Sequence, residues 1–256
     1  MPDKIINAFY NNIKALGYPI EFPKLFIKTC KLHSQSHSYI KKLIESRKII
    51  NRYKYLKIYI AFSGGKDSVV LLHLVNQIIP NSLIFHFDHG SMLIPKPIEM
   101  EIIQNLYKII QDRNRIFISS LGNRNDARVN YVAWYHKFFG FLSRFIKENN
   151  IDACFLGLRA EESCKRKKRV ENFEMQDKSQ GIKQIYPLAK WSYLDIYAYI
   201  ISNNLPIPRI YHAYAKLLGY ENVRLVTFFD SEFNFLGNAN VDSAILPFFK
   251  HFRPDK

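Results

Sequence analysis

Short apolar runs recur through the middle of the chain, separated by stretches whose apolar residues return every three or four positions. Residues 57–62, with the core Ile58-Tyr59-Ile60-Ala61-Phe62, have the length and β-branched and aromatic content of a buried strand. So do Leu83-Ile84-Phe85-His86-Phe87-Asp88, Arg115-Ile116-Phe117-Ile118-Ser119 and Ala153-Cys154-Phe155-Leu156-Gly157. Helical patterns fill the gaps at 67–78, 96–113 and 129–149. Crossovers of that length call for parallel pairing, so the expected fold is an α/β doubly wound parallel sheet. Ligands in such sheets bind at the carboxyl ends of the strands. Residues 1–56 read as an N-terminal helical extension, in which Pro19 and Pro23 separate a short first helix from a longer basic one.

The most informative local feature is Ser63-Gly64-Gly65-Lys66-Asp67-Ser68, between the first strand and its helix. Two glycines let the backbone bend tightly and bring its N–H groups close to an anion, and the helix that starts here adds its positive dipole end. Lys66 supplies a mobile full charge, and Ser63 and Ser68 flank the turn with hydroxyls. Asp67 can cap the helix, orient Lys66, or hold a magnesium ion between phosphate oxygens. Neither the Walker spacing nor the Gly-x-Gly-x-x-Gly spacing is present at this point.

Each further candidate falls at another strand end. Asp88, followed by His89 and Gly90, suits contact with the ribose or adenine of a nucleotide, or a plain turn; His86 and His89 are weaker candidates. Gly157 allows close approach of a ligand, and Arg159 offers a planar fork to phosphate or sulfate oxygens, held in place by Glu161 or Glu162. The run Lys165-Arg166-Lys167-Lys168-Arg169 reads either as a solvated or mobile loop or, preferably, as a closing lid that brings Arg166 and Arg169 to the site.

Composition narrows the class. The chain has 256 residues, 48% hydrophobic and 15% aromatic, which is enough for a substantial core. No apolar run approaches the roughly 20 residues that span a bilayer, and Met1-Pro2-Asp3-Lys4 does not lead into a signal-peptide core. A cytoplasmic protein with no membrane partner is expected. A formal charge of +15, from 37 Lys and Arg against 22 Asp and Glu, favours polyanionic ligands. The basic helix at 41–57 is either a solvated face or a surface for tRNA or DNA, and the aromatic residues from Tyr131 to Phe145 suit a buried helix or a homodimer contact. Three cysteines, Cys30, Cys154 and Cys164, form no Cys-x-x-Cys pair. Cys30, His33 and His37 could touch one zinc ion, though a fourth ligand is not evident.

The hexapeptide Ser63–Ser68 in its strand-turn-helix setting resembles the PP-loop of the ATP pyrophosphatase (adenine nucleotide alpha hydrolase-like) superfamily. Gly157-Leu158-Arg159-Ala160-Glu161-Glu162-Ser163 resembles the Gly-x-Arg-x-x-Glu-Ser motif of its phosphoadenosine phosphosulfate (PAPS) reductase-like branch. Pro187 to Trp191 and Asn203 to Tyr211 are similar to later segments of the same branch. The resemblance spans about 57–215, which implies a PP-loop nucleotide-binding domain there, with 216–256 completing or flanking it. It implies ATP, or PAPS as an alternative, held by Ser63, Gly64, Gly65, Lys66, Asp67, Ser68, Asp88, Gly157 and Arg159. Lys66, Asp67 and Arg159 would be catalytic, Asp67 would hold Mg2+, and Glu162, Arg166, Arg169 and Trp191 would meet the second substrate.

The departures matter as much. The reductases of this branch use a cysteine near the C-terminus, and no cysteine follows Cys164 here. Cysteine ligands for an iron–sulfur cluster are also lacking, so none is expected. What remains is cleavage of the α–β phosphate bond of ATP, with transfer of the adenylyl group to an acceptor and release of pyrophosphate. The alternatives are a reductase-related protein using a partner's thiol or Cys164, a nucleotide sensor, and a component of nucleic-acid modification.

Overall fold

The computed structural model describes residues 2–89, 94–120 and 131–225; Gly90 and the segment 226–256 lie outside the described residues. Among the described residues six strands form one sheet in the order β3-β2-β1-β4-β6-β5. They are β1 (Ile58–Ala61), β2 (Leu83–Asp88), β3 (Ile116–Ser120), β4 (Ala153–Phe155), β5 (Glu174–Asp177) and β6 (Ile182–Ile185). All neighbouring pairs are parallel except β5 with β6, and β1 lies between β2 and β4 with Ile60 opposite Ile84 and Phe155. The four strands expected from the apolar runs are β1 to β4. The β5–β6 hairpin was not expected, because Glu174-Met175-Gln176-Asp177 is mostly exposed and carries no apolar alternation. Its turn is made by Asp177, whose Oδ1 accepts from Ser179 N at 2.9 Å and Gln180 N at 3.2 Å, and by Gly181 at φ 72°.

Side chains alternate across the pleat and divide the core in two. Ile58, Ile60, Ile84 and Phe155 face one layer, which includes α4 (Lys66–Ile78), α5 (Lys96–Ile109), α8 (Tyr193–Ser202) and α9 (Ile210–Leu218). Tyr59, Phe85, Phe87 and Cys154 face the other, against Leu142, Phe145 and Ile146 of α6 (Tyr131–Glu148). Among the described residues no helix is long and apolar enough to cross a membrane.

The N-terminal extension contains three helices rather than two: α1 (Pro2–Ala15), α2 (Lys24–His33) and α3 (His37–Arg52). Ile6, Tyr10, Ile13 and Cys30 from these helices belong to the same buried cluster as the α4 side of the sheet. The extension packs on α8 through Phe26 against Tyr197, with ring centroids 5.4 Å apart, and through a buried carboxylate. Asp195 is fully buried, closes a capping box with Ser192, and accepts from Lys42 Nζ at 2.6 Å; its Oδ1 lies 2.8 Å from His33 Nε2. His33 is thus committed to a carboxylate. His33 and His37 also sit on different helices, so the zinc spacing suggested by one continuous helix face does not arise. Lys41, Arg47, Lys48, Arg52, Lys54 and Lys57 are exposed on and after α3.

Candidate active site

β1 ends at Ala61, and the chain turns through Ser63 and Gly64 into α4, whose N-cap is Gly65. Gly64 has φ +76°, a conformation that L side chains avoid. Ser68 Oγ donates to the Gly65 carbonyl at 2.8 Å, and Ser63 Oγ lies 3.2 Å from Ser68 Oγ, so the two hydroxyls brace the turn. Here a cavity of about 270 Å³ opens at the carboxyl ends of β1, β2 and β4. Ser63, Gly65, Asp67, Ser68, Gly157 and Arg166 form its polar floor and side; Phe85, Phe87, His89, Phe138 and Leu156 form an apolar wall. The position follows from the fold, since helix N-termini and strand carboxyl ends converge on that edge of a parallel sheet.

Gly157 lets β4 approach the loop. A Cβ there would sit 3.1 Å from Asp67 C and 3.2 Å from Ser68 N, against the backbone of the first turn of α4. Gly157→Ala is expected to push that turn aside, lowering stability by about 1–2 kcal/mol and weakening ligand binding more than tenfold; thermal unfolding and nucleotide titration check it.

The charged residues predicted for the site are arranged differently from the expectation. Lys66 is not a mobile charge on a turn. It opens α4, is 1% exposed, and donates from Nζ to the Val223 carbonyl at 2.9 Å and to Asp67 Oδ2 at 3.0 Å. The cause is the segment at 223–225, which lies over the loop. Arg159, 2% exposed, donates from Nε to Asp67 Oδ1 at 2.6 Å and from Nη1 to Glu161 Oε2 at 3.1 Å. Both Asp67 oxygens are therefore taken by cations. Burial works to raise its pKa, but the Arg159 guanidinium and the Lys66 ammonium outweigh that and hold the carboxyl at about 2. A carboxylate flanked in this way does not fit a protein-held magnesium ion, and among the described residues no group of three or more His, Cys, Asp or Glu is placed to hold a metal.

Of the second-substrate residues, Arg166 reaches the cavity, and Glu162 Oε2 accepts from its Nη1 at 2.5 Å. The basic run is not a loop. It forms α7 (Cys164–Val170), and Arg169, three residues after Arg166, is drawn aside by its own partners, donating to Gln184 Oε1 at 2.6 Å and Tyr186 Oη at 3.2 Å, beside β6. Trp191 is 2% exposed and donates from Nε1 to Ser46 Oγ at 2.8 Å, joining α3 to the core without lining the cavity. Asp88 ends β2 next to the lining residue His89. His86 is structural: Nδ1 lies 2.8 Å from the Phe62 carbonyl and Nε2 lies 2.7 Å from Glu99 Oε1. Burial pushes the His89 ring down to about 3, which leaves a neutral imidazole beside Phe87, with ring centroids 5.1 Å apart. Burial likewise pushes the Cys30 and Cys154 thiols up to about 12, so neither is a ready thiolate; Cys164 is exposed.

Three lining residues were not among the site residues expected from the sequence. Phe138 comes from α6, Arg224 from the segment after α9, and Tyr211 from α9. The Tyr211 hydroxyl accepts from Lys66 N at 3.0 Å and would lie 3.1 Å from a Cβ on Gly65. Its place at the end of the Asn203–Tyr211 motif was the clue available.

A glycine turn between a central parallel strand and a helix, with a cavity at the carboxyl ends of that strand and its neighbours, defines an α/β protein with an anion-binding loop. The chain belongs to the phosphoadenosine phosphosulfate reductase domain family, a family of PP-loop enzymes whose model matches residues 57–240. A protein named sulfate adenylyltransferase subunit 2, from Mycobacterium sp. strain KMS, is 30% identical over 184 residues, covering 60% of this chain and 58% of that relative. One of the same name from Mycobacterium tuberculosis is 28% identical over 189 residues, with the same coverage of 60% and 58%. The chain thus spans 58% of the length of these curated relatives. A PAPS reductase from Candida auris, solved with phosphate, superposes with TM-score 0.51 at 17% identity, covering 74% of this chain and 91% of that one. FMN adenylyltransferase from Candida glabrata, solved with FAD and inorganic pyrophosphate, superposes with TM-score 0.50 at 14% identity, covering 73% and 67%. At these identities the likeness is one of fold.

Proposed function

We propose that the cavity binds ATP and that the chain catalyses transfer of its adenylyl group to an oxyanion acceptor, releasing pyrophosphate. One observation carries this reading: a glycine loop and helix N-terminus, together with Arg166, line one part of the cavity, while aromatic side chains and a neutral imidazole line another. A polyphosphate suits the first and a flat base the second. An acceptor oxygen attacks the α-phosphorus, the bond from that phosphorus to the bridging oxygen breaks, and the electron pair leaves on pyrophosphate. The loop amides and Arg166 would stabilise the charge that gathers there. Lys66 and Arg159, bound to Asp67, would set the loop's shape and potential from below, and no step is assigned to a metal on Asp67. The names of the sequence relatives make sulfate the first acceptor to test, and their designation as a subunit suggests a partner chain as the second addition.

The test is release of pyrophosphate from α-labelled ATP in magnesium buffer, with sulfate, flavin mononucleotide or bulk tRNA added in turn. Arg166→Ala is expected to lower turnover at least a hundredfold, and because it leaves the buried Glu162 carboxylate without its charged partner it also lowers the unfolding temperature, so turnover is compared where both proteins are folded. A parent protein that releases no pyrophosphate with any acceptor, or an Arg166→Ala variant at full rate, would refute the proposal.

A further inference from the structure

Beyond α9 the chain runs back over the anion loop, touching it directly at Lys66 and indirectly through Tyr211 of α9, whose hydroxyl also accepts from Lys66 N. The Val223 carbonyl accepts from Lys66 Nζ at 2.9 Å, and Leu225 N donates to Tyr211 Oη at 3.2 Å. Arg224 lies between these two anchors and lines the cavity, as Arg166 does from α7. The start of the same segment is fixed elsewhere. Tyr220 stacks on Phe26 with ring centroids 4.1 Å apart and planes 13° apart, and Phe22 lies 5.6 Å from it. The Tyr220 hydroxyl also lies 3.2 Å from His212 Nδ1. Phe22 and Phe26 precede the family match, which begins at residue 57. The segment from Tyr220 to Leu225 is therefore a strap, held at one end by the N-terminal extension and at the other by Lys66 of the loop and Tyr211 of α9.

We infer that Arg224 is an anion-binding residue of the site, and that Phe22 and Phe26 are positioning residues which act on it through Tyr220. The inference rests on the proposed ATP-binding reading of the cavity. A guanidinium offers a planar pair of donors suited to phosphate oxygens, but a long side chain gains affinity only where its backbone is already placed. The aromatic stack supplies that placement. It fixes the strap on a rigid ring pair only a few residues from Arg224, so the ordering cost falls on folding rather than on binding. The extension thereby becomes part of the nucleotide site without touching the nucleotide.

The experiment is calorimetric titration of the full chain with ATP and, separately, with inorganic pyrophosphate. A charge-assisted contact to an anion is worth roughly ten- to a hundredfold in affinity. Arg224→Gln is expected to raise Kd for both ligands by that factor, and Arg224→Lys to recover part of it. Phe26→Ala is expected to raise Kd about fivefold in the parent and to add almost nothing in the Arg224→Gln background, because the placement matters only while the arginine is there. Phe26→Leu, which keeps the core filled and removes the ring stack, repeats the comparison if Phe26→Ala does not fold. Unchanged binding in Arg224→Gln, or additive effects of the two substitutions, overturns the inference and leaves the proposed function standing. A parent chain that binds neither ATP nor pyrophosphate overturns both.

Discussion

Gly64→Ala is expected to abolish ligand binding in the cavity and to lower the stability of the fold by about 3 kcal/mol or more. Two independent costs add. The residue sits at φ +76°, where an L side chain costs about 1–2 kcal/mol. The new Cβ would then lie 2.4 Å from Ile102 Cγ2, 2.6 Å from Cγ1 and 2.8 Å from Cδ1. Ile102 is fully buried on α5, with Ile98 and Leu106 of the same helix also in the core, so it has no solvent into which to swing. Overpacking of this kind costs typically 1–3 kcal/mol and is relieved by moving backbone. The backbone that can move is the loop itself. The urea midpoint measures the loss, and Ile102→Ala separates the two costs. The double variant should be less destabilised than the sum of the single variants by about 1–2 kcal/mol, because the contact is gone while the unfavourable φ remains. A Gly64→Ala protein with the parent's midpoint would mean that the loop does not have the left-handed turn.

The second large effect is expected at Asp67. Its carboxylate joins a guanidinium and an ammonium whose side chains are 3% and 1% exposed, and its own is 14% exposed. Breaking a buried ionic cluster by removing one partner typically costs about 3–5 kcal/mol, since the remaining charges stay desolvated. Asp67→Asn keeps the shape and presents an amide to two cations, so a loss of about 3 kcal/mol is expected, together with loss of turnover as the loop and Arg159 come apart. The pH dependence identifies the group. In the folded chain the carboxyl is held at about 2, below its ordinary value of about 4 in the unfolded chain. The unfolded state therefore binds more protons between these limits, and stability rises with pH across them. The contribution is complete above about pH 4 and is lost as pH falls through about 2. Urea midpoints at pH 3 and pH 5 should differ more in the parent than in Asp67→Asn; equal differences would show that another carboxyl dominates the acid limb.

Much of the central fold was readable in order. The apolar runs at 58–61, 83–88 and 153–155 are short and continuous because these inner parallel strands are covered on both faces, whereas the edge strand at 116–120 is half exposed; helical periodicity between the strands forces crossovers. The loop was readable for the same reason: two glycines and a following helix leave few conformations, and Gly64 adopts the left-handed one. The hairpin of β5 and β6 was not readable, because β5 is mostly exposed and β6 buries only Ile182 and Ile185, whose spacing of three is no strand alternation, so the turn and the pairing with β4 set its register.

The order of the first four strands and the helices between them, the anion loop at the end of β1, and the residue types gathered on the strand ends were determined by sequence alone, since periodicity and glycine chemistry act over a few residues. Which charged groups face the cavity was decided only by tertiary structure. Lys66 is buried by Val223, Arg159 is held by Asp67, and Arg169 and Trp191 turn to other partners. Arg224 enters from the far end of the described chain, on a strap anchored by Phe26. Every one of these choices depends on contacts between residues distant in sequence. The energy of a buried charge depends on what surrounds it in space, and local pattern carries no record of that.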